Sequence, residues 1–113
     1  MKNKFIVKWT APAREDVNEI IDYIAETNPR YAEKVLFLME KSVRKLDMFP
    51  NRYRIVPELE KYGYLLYREI ITEYWRIVFK TENDYVYIML VIDSRRNLED
   101  LILKKILLRE NEI

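Results

Sequence analysis

The arginines of two neighbouring strand-like segments are the side chains in this sequence best suited to chemistry. Arg76 interrupts the apolar residues 74–79, and Arg68 lies in the segment before them. Two guanidinium groups on one open sheet face could hold a phosphate, because each presents a planar fork of N–H donors. The same arginines could instead be solvated or form salt bridges with Glu69 or Glu73, since open antiparallel faces are routinely polar.

A second group of charged side chains follows an apolar segment. Asp93, Arg95 and Arg96 come directly after residues 85–92. Loops at strand ends often carry function, because a rigid scaffold positions them. Asp93 could pair with either arginine or cap a following helix, and a simple charged loop is the alternative. The candidate phosphate or target contacts are Arg68, Arg76, Arg95 and Arg96, and the candidate catalytic carboxylates are Glu73 and Asp93.

Tyrosines stand close to these arginines in the sequence. Tyr64 and Tyr67 come shortly before Arg68, and Tyr74 precedes Arg76. Aromatic rings among arginines can stack on the bases of nucleic acids, which makes the three tyrosines candidate substrate-binding residues. Tyrosine is also a common strand residue, so packing within the sheet explains the same pattern.

The absent residue types exclude several classes of chemistry. The chain has 113 residues, which fit a single domain over residues 1–113, and it contains no His, no Cys and one Gly. A histidine general base, a His/Cys zinc site and a glycine-rich phosphate loop are therefore excluded. We expect neither a cofactor nor a metal. With 20 basic and 19 acidic residues the net charge is +1, so any basic site must be local.

The apolar pattern also bears on location. No apolar run reaches the length of a membrane-spanning helix, and the N-terminal residues lack the long apolar region of a signal peptide. The lack of cysteine fits a reducing compartment. We therefore expect a cytoplasmic protein without a membrane partner.

Hydrophobic periodicity predicts a strand and then two helices. Residues 5–9 are β-branched and aromatic, which is typical of a strand. Thr10 and Asn28 are suitable N-cap residues, each followed within two residues by a proline. The second helix should end before Phe49 and Pro50, which gives an antiparallel helical hairpin. The buried stripes are predicted to be Ala13, Val17, Ile20, Ile21 and Ile24 in the first helix and Ala32, Val35, Leu36, Met39, Val43 and Leu46 in the second.

Three strands and a last helix follow a predicted loop at residues 50–62. The strands are predicted at residues 64–71, 74–80 and 85–92. A hairpin turn is predicted at 81–84, and Asn97 can cap the last helix. The unbroken apolar residues 86–92 indicate a central strand covered on both faces or nearly so. We predict an α+β fold whose helices pack on one face of a four-stranded, mostly antiparallel sheet, with the other face partly open.

Several short motifs, each weak alone, follow one another along nearly the whole chain. They are Trp9-Thr10-Ala11-Pro12-Ala13, Asp16-Val17-Asn18-Glu19-Ile20, Tyr23-Ile24, Pro29, Ala32, Leu46, Phe49-Pro50, Val56-Pro57-Glu58-Leu59, Arg68-Glu69-Ile70, Tyr74-Trp75-Arg76-Ile77-Val78-Phe79 and Val91-Ile92-Asp93-Ser94-Arg95-Arg96-Asn97. Together and in this order they resemble the RelE/ParE superfamily of type II toxins. The predicted element order agrees with that fold.

The resemblance implies a toxin encoded beside an antitoxin that wraps an extended or helical segment around it. Members of the RelE branch cut messenger RNA in the ribosomal A site, whereas members of the ParE branch poison DNA gyrase. Arg76 falls on an arginine that contacts the scissile phosphate in nuclease members. Arg95 or Arg96 falls on a second arginine with a similar role, and Arg68 on an arginine common in the preceding strand.

One departure from the family pattern favours the ParE branch over the RelE branch. Asp93 stands where many members carry a histidine that serves some nucleases as a catalytic group. RNA cleavage needs a base for the 2′-hydroxyl and an acid for the leaving oxygen, and arginine is a poor proton donor because it stays charged. Glu69 or Glu73 could be the base, but no evident acid remains.

We therefore predict a toxin closer to the ParE branch, acting on a protein target such as DNA gyrase. One alternative is a metal-independent, ribosome-dependent mRNA endoribonuclease of the RelE type. A second alternative is a degenerate, non-toxic homologue that binds its antitoxin. Whether the protein is an enzyme stays open, and so does its oligomeric state, with a homodimer as one option.

Overall fold

A short strand, a helical hairpin, a three-stranded meander and a C-terminal helix succeed one another along the chain. The computed structural model describes residues 4–95 and 99–110, and over these residues the predicted α+β class and element order are confirmed. The strands are β1 (Ile6–Trp9), β2 (Tyr67–Thr72), β3 (Trp75–Glu82) and β4 (Tyr85–Asp93). The helices are α1 (Ala11–Ala25), α2 (Pro29–Arg44), α3 (Pro57–Glu60) and α4 (Glu99–Arg109).

Side-chain caps determine where α1 and α2 begin. Thr10 Oγ1 accepts a hydrogen bond from the backbone N–H of Ala13 (3.4 Å) and donates one to the carbonyl of Ile88 in β4 (2.7 Å). The same hydroxyl therefore ties the start of α1 to the sheet. Asn28 Oδ1 accepts from the N–H of Tyr31 (3.1 Å). Both predicted caps are confirmed, and each satisfies a donor that the first helical turn leaves without a partner.

The sheet has the strand order β1-β4-β3-β2. β1 pairs in parallel with β4, whereas β2, β3 and β4 form an antiparallel meander. Glu73 (φ 55°) turns the chain between β2 and β3, and Asn83 (φ 56°) turns it between β3 and β4. Asparagine tolerates this left-handed region better than most residues, which fits the hairpin turn predicted at 81–84.

Apolar side chains on both faces of β3 and β4 divide the interior into two cores. Alternation along β3 places Ile77 and Val78 on opposite faces. The first core lies beneath α1 and α2 and includes Ala13, Val17, Val35, Met39, Val43, Leu46, Trp75, Ile77, Phe79, Val86, Ile88 and Val91. The second core lies beneath α3 and α4 and includes Val56, Leu59, Tyr67, Val78, Met89, Leu90, Ile92, Ile102 and Ile106.

The second core corrects one expectation about the sheet. The prediction of a partly open face is wrong, because α4 places Ile102 and Ile106 over it and α3 adds Leu59. The helices consequently lie on both faces of the sheet, although the fold class is as predicted. The physical reason is the unbroken apolar run of β4, which needs cover on both sides. Asn97, the predicted cap of the last helix, lies outside the described residues.

An ion pair between Asp16 and Arg109 lies at the edge of β4, beyond the residues of β4 that pair with β1. Asp16 of α1 accepts hydrogen bonds from the backbone N–H of Val91 (3.0 Å) and from the Arg109 guanidinium of α4 (2.6 and 3.0 Å). Arg109 also donates to the carbonyl of Met89 (3.1 Å), the residue that bulges out of the β3–β4 register. Because α1 and α4 lie on opposite faces, this pair joins the two layers across the sheet edge.

Residues 50–62 contain more helix than the predicted loop. A 3₁₀ turn spans Pro50–Arg52, α3 follows, and Ile55 forms an antiparallel bridge with Arg68 of β2. The ladder of β2 begins at Tyr67 and not at residue 64, because Gly63 (φ 85°) first turns the chain back from α3. Within residues 4–95 and 99–110, no helix is long and apolar enough to cross a membrane.

Replacing Met39 by Ala should lower the free energy of unfolding by about 2–5 kcal/mol, because the change leaves a cavity beneath α2. Met39 is fully buried, whereas Phe37 on the same helix is exposed. Phe37→Ala is therefore the matched control and should change stability by less than about 0.5 kcal/mol. Denaturant unfolding followed by circular dichroism measures both, and equal losses would contradict the assigned faces of α2.

Candidate functional site

Arg76 lies buried between two carboxylates and not on an open surface. It is 5% exposed, and its Nε donates to Oε1 of Glu69 (2.7 Å). Its Nη1 and Nη2 donate to the two carboxylate oxygens of Glu58 in α3 (2.7 and 2.6 Å). The fork geometry that could hold a phosphate is therefore already occupied by protein carboxylates.

A second arginine completes this arrangement, which we call the Arg76 cluster (Arg54, Glu58, Glu69 and Arg76). Arg54 Nε donates to Oε2 of Glu69 (2.6 Å), whose side chain is fully buried. Two arginines and two glutamates leave the cluster with no net charge. A phosphate entering here would have to displace a buried carboxylate and leave it unpaired, which is costly.

The pKa values of the cluster reflect this pairing. The hydrogen bond from Arg76 holds the pKa of Glu58 below its ordinary value of 4.5, against the opposing effect of burial. The same bond raises the pKa of Arg76, again against burial. Both groups are therefore charged at neutral pH, so Arg76 retains its protons and Glu58 is a weaker base than an unpaired carboxylate.

Arg68 points away from the Arg76 cluster. Arg76 pairs across the sheet with Ile71, and Arg68 lies three residues from Ile71 on β2, so the two arginines face opposite sides. Arg68 Nη1 donates to the backbone carbonyl of Tyr53 (2.7 Å). The expectation that Arg68 and Arg76 share one face is therefore wrong. The register of β2 and β3 pairs even-numbered residues with odd-numbered ones. Two even-numbered residues on these strands, such as Arg68 and Arg76, therefore face opposite sides of the sheet.

The structure brings three other predicted residues together at the end of the sheet, where β4 finishes. Arg95 donates from Nε and Nη2 to the two oxygens of Asp93 (3.0 and 2.8 Å), and its backbone N–H bonds to the same carboxylate (2.9 Å). The guanidinium carbon lies 4.4 Å from the centre of the Tyr74 ring. Arg95 is thus held in place by a carboxylate and a ring, with 60% of its side chain exposed.

These residues line a cleft of about 370 Å³, which we call the Arg95 cleft. Its walls come from α1, from the start of α2 and from the ends of β3 and β4. The lining residues are Glu19, Ile20, Tyr23, Ile24, Tyr31, Tyr74, Trp75, Asp93 and Arg95. Aromatic rings and an exposed guanidinium suit contact with another macromolecule, because such side chains are enriched where binding energy concentrates.

Two titratable groups of the Arg95 cleft, Tyr31 and Arg95, do not suit proton transfer at neutral pH. Burial raises the pKa of Tyr31, and Glu73 and Tyr74 raise it further while Arg95 lowers it. The bond to Asp93 raises the pKa of Arg95. Both shifts move the pKa of a proton donor further above neutral pH. General acid catalysis is most efficient when that pKa lies near the pH of the reaction. Glu73 lies exposed in the β2–β3 turn, where its charge acts on Tyr31.

The remaining predicted residues lie elsewhere. Tyr67 is buried in the second core, and Tyr64, between α3 and β2, is 41% exposed. Arg96 lies outside the described residues. In the described ranges 4–95 and 99–110, no group of three His, Cys, Asp or Glu side chains could hold a metal ion.

The sequence indicates two of the three carboxylates that pair with these arginines. The alternative that Arg76 forms a salt bridge with Glu69 is confirmed, and so is the pairing of Asp93 with Arg95. Glu58, which lies in the predicted loop, is the partner that the sequence does not indicate. One signal was available, since a charged residue at an inward position of an apolar strand requires a buried partner. Asp16 and Arg109 lie 93 residues apart, and nothing local in the sequence indicates that pair.

Comparison with known proteins identifies the class. Residues 7–98 match the family model of the ParE toxin of the type II toxin-antitoxin system, parDE. The match spans most of the chain, so the protein belongs to this family and is the toxin of a type II toxin-antitoxin system. The resemblance to the RelE/ParE superfamily is confirmed. No curated protein matches the chain.

Two solved structures show the same fold. The chromosomal ParDE system from P. aeruginosa aligns with a TM-score of 0.67 at 19% identity, covering 80% of this chain and 96% of that one. The RelBE2 toxin-antitoxin complex from Mycobacterium tuberculosis aligns with a TM-score of 0.53 at 19% identity, covering 80% and 92%.

Replacing Glu58 by Gln should destabilise the protein at pH 7 and progressively less at lower pH. The folded pKa of Glu58 lies below its ordinary 4.5, so its ionised form stabilises the fold above that value, and this contribution is lost as the pH falls through the folded pKa. Thermal unfolding of wild type and variant between pH 7 and pH 3 measures the difference. Glu60→Gln, at an exposed site on α3, is the control. A difference between wild type and Glu58→Gln that does not change with pH would contradict the pairing.

Proposed function

We propose that this toxin stops growth by binding a protein target such as DNA gyrase in the cytoplasm, not by cutting RNA. The observation that carries the proposal is the burial of Arg76 against Glu58 and Glu69. The resemblance implies that this arginine contacts the scissile phosphate in nuclease members of the superfamily. In this chain the guanidinium is neutralised and covered by α3.

The lack of an acid supports the same proposal. The sequence has no histidine, and Asp93 stands at the position where nuclease members often carry one. Both carboxylate oxygens of Asp93 accept hydrogen bonds from Arg95, so this side chain acts here as an acceptor. Stabilisation of a pentavalent phosphate by arginine alone would leave the 2′-hydroxyl and the leaving oxygen without proton transfer.

The target contact that we propose is the Arg95 cleft. Arg95 and Tyr74 stack at its mouth, and Tyr23 is 76% exposed beside them. Asp93 acts as a positioning residue there, because it fixes the guanidinium from behind. A preorganised guanidinium loses less side-chain entropy on binding than a free one.

One observation favours the RelE-like alternative. An exposed arginine stacked on a tyrosine can also contact a phosphate and a base. If the protein cleaved ribosome-bound message, Arg95 and Tyr74 would be the residues placed to touch it. Cleavage of ribosome-bound mRNA by the purified toxin would therefore overturn the gyrase proposal.

Purified toxin should inhibit DNA supercoiling by gyrase, and Arg95→Ala should raise the half-inhibitory concentration by about tenfold or more. Arg52→Ala is the matched control, because Arg52 also stacks on a tyrosine, Tyr53, at 5.2 Å but does not line the cleft. No inhibition at high concentrations of folded wild-type toxin would contradict gyrase as the target. Equal losses in the two variants would contradict the cleft as the contact.

Expression of the toxin without antitoxin should arrest growth, and co-expression of the antitoxin should restore it. Growth curves after induction measure the effect, with soluble accumulation confirmed on the same cultures. Normal growth with abundant folded protein would contradict a toxic activity and leave the degenerate, antitoxin-binding alternative.

A further inference from the structure

The Arg95 cleft holds more negative than positive charge. Two carboxylates, those of Glu19 and Asp93, line it together with one guanidinium, that of Arg95. Asp93 and Arg95 are joined by two side-chain hydrogen bonds (3.0 and 2.8 Å), so their charges largely cancel. Glu19 is exposed, and it forms no ion pair with residues 4–95 and 99–110. The charge that remains in this lining is therefore negative.

A second carboxylate without an ion-pair partner stands beside the cleft. Glu73 is exposed in the β2–β3 turn, directly before the lining residue Tyr74, and like Glu19 it has no ion pair within the described residues. Burial raises the pKa of Tyr31, and the negative charge of Glu73 raises it further, so Glu73 lies close to that lining residue as well. The backbone φ of Glu73 is 55°, a left-handed angle that is costly for a residue other than glycine. The turn thus holds a carboxylate beside the cleft in a strained conformation.

The aromatic rings of the cleft favour the opposite charge, a cation. Tyr23, Tyr31, Tyr74 and Trp75 all line it, and the face of each ring is negative because of its quadrupole. Arg95 already occupies one of these faces, with its guanidinium carbon 4.4 Å from the centre of the Tyr74 ring. In the described part of the chain, no Lys or Arg lies over Tyr23 or Tyr31. Two aromatic rings are therefore available to a cation from outside.

Two isoleucines add an apolar surface to the same cleft. Ile20 and Ile24 are one helical turn apart on α1 and are half-buried, and Glu19 directly precedes Ile20. Lysine and arginine pack their methylene stems on apolar surface while the charged head stays at a polar site. A basic side chain therefore matches the whole lining, because its stem suits the isoleucines and its head suits the carboxylates and rings.

A phosphate group matches this lining less well. Glu19 and Glu73 repel an anion, and Arg95 is already neutralised by Asp93. Within residues 4–95 and 99–110, the cleft thus has no uncompensated cation that could bind a phosphate. Charge complementarity favours a basic group of a protein over a nucleic acid backbone.

We propose that the Arg95 cleft receives a lysine or arginine side chain of the protein target, whose charged head lies against the rings of Tyr23 and Tyr31 and near Glu19 and Glu73. The inference rests on the proposed function, because it names the chemistry of the target that this cleft binds. Asp93 then has a second effect besides positioning Arg95. It cancels the positive charge that would otherwise repel the incoming basic side chain.

An NMR titration of isotope-labelled full-length toxin tests this chemistry independently of the target. The probe is the blocked tripeptide acetyl-Gly-Arg-Gly-amide, and the anionic comparisons are acetyl-Gly-Glu-Gly-amide and inorganic phosphate. The basic peptide should shift the resonances of Tyr23 and Tyr31 saturably, with a dissociation constant on the order of 1 mM. The two anionic probes should leave these resonances unchanged.

Two pairs of substitutions show whether the carboxylates cause the binding. Glu19→Gln together with Glu73→Gln should raise the dissociation constant of the basic peptide by about fivefold or more. The matched control, Glu33→Gln together with Glu40→Gln, removes two charges from exposed sites on α2 that do not line the cleft. It should change the constant by less than about twofold, because salt screens distant charges. Circular dichroism confirms that both variants fold, and equal constants for the two variants would overturn the inference.

The outcomes also separate this inference from the gyrase proposal. If the basic peptide binds through Glu19 and Glu73 while wild-type toxin fails to inhibit gyrase, the inference stands and the target is another protein. If wild-type toxin inhibits gyrase and the peptide leaves Tyr23 and Tyr31 unshifted, the inference is overturned and the gyrase proposal stands. Tighter binding of phosphate than of the basic peptide would overturn the inference and favour the RelE-like alternative.

Discussion

The ion pairs of Arg76 are the interaction on which the arrangement of this toxin depends. A buried guanidinium near the start of a central strand must be neutralised, and Glu58 and Glu69 do this from α3 and β2. Because Arg76 of β3 binds Glu58 of α3, the same ion pair holds α3 against the sheet. The same contacts leave Arg76 only 5% exposed, and this burial is the observation behind the proposal of a protein target.

The helices and strands were predictable because they depend on local rules. Thr10 and Asn28 cap the helices that follow them, and the apolar spacing of α2 places Met39 inward, as the structure confirms. The closed second face was harder to foresee, although the unbroken apolar run of β4 already required cover on both sides. What the sequence does not specify is which element supplies that cover. Five residues separate the end of β4 from the start of α4, and their number does not determine which face of the sheet the helix covers.

Only part of the candidate site could be predicted, because contacts between close neighbours in the sequence are local whereas contacts between strands depend on their register. Asp93 and Arg95 are two residues apart, so their contact follows from local geometry, and Tyr74 meets them because it precedes the β3 residue that pairs with Asp93. Arg68 and Arg76 belong to different strands, and their relative facing depends on where the turn falls. A change of one residue in register reverses every side chain on a strand. Such pairs are decided by tertiary structure.

The ion pair between α4 and α1 links one face of the sheet to the wall of the Arg95 cleft. Arg109 of α4 binds both carboxylate oxygens of Asp16 in α1, and α1 also supplies Glu19 and Tyr23 to the cleft. A ligand that shifted α4 would therefore act on the cleft through this one ion pair. Such coupling needs an element with two arrangements that both ligands bias. The element α4 meets the geometric part of that requirement, because it is joined to α1 across the sheet edge while it packs on the opposite face.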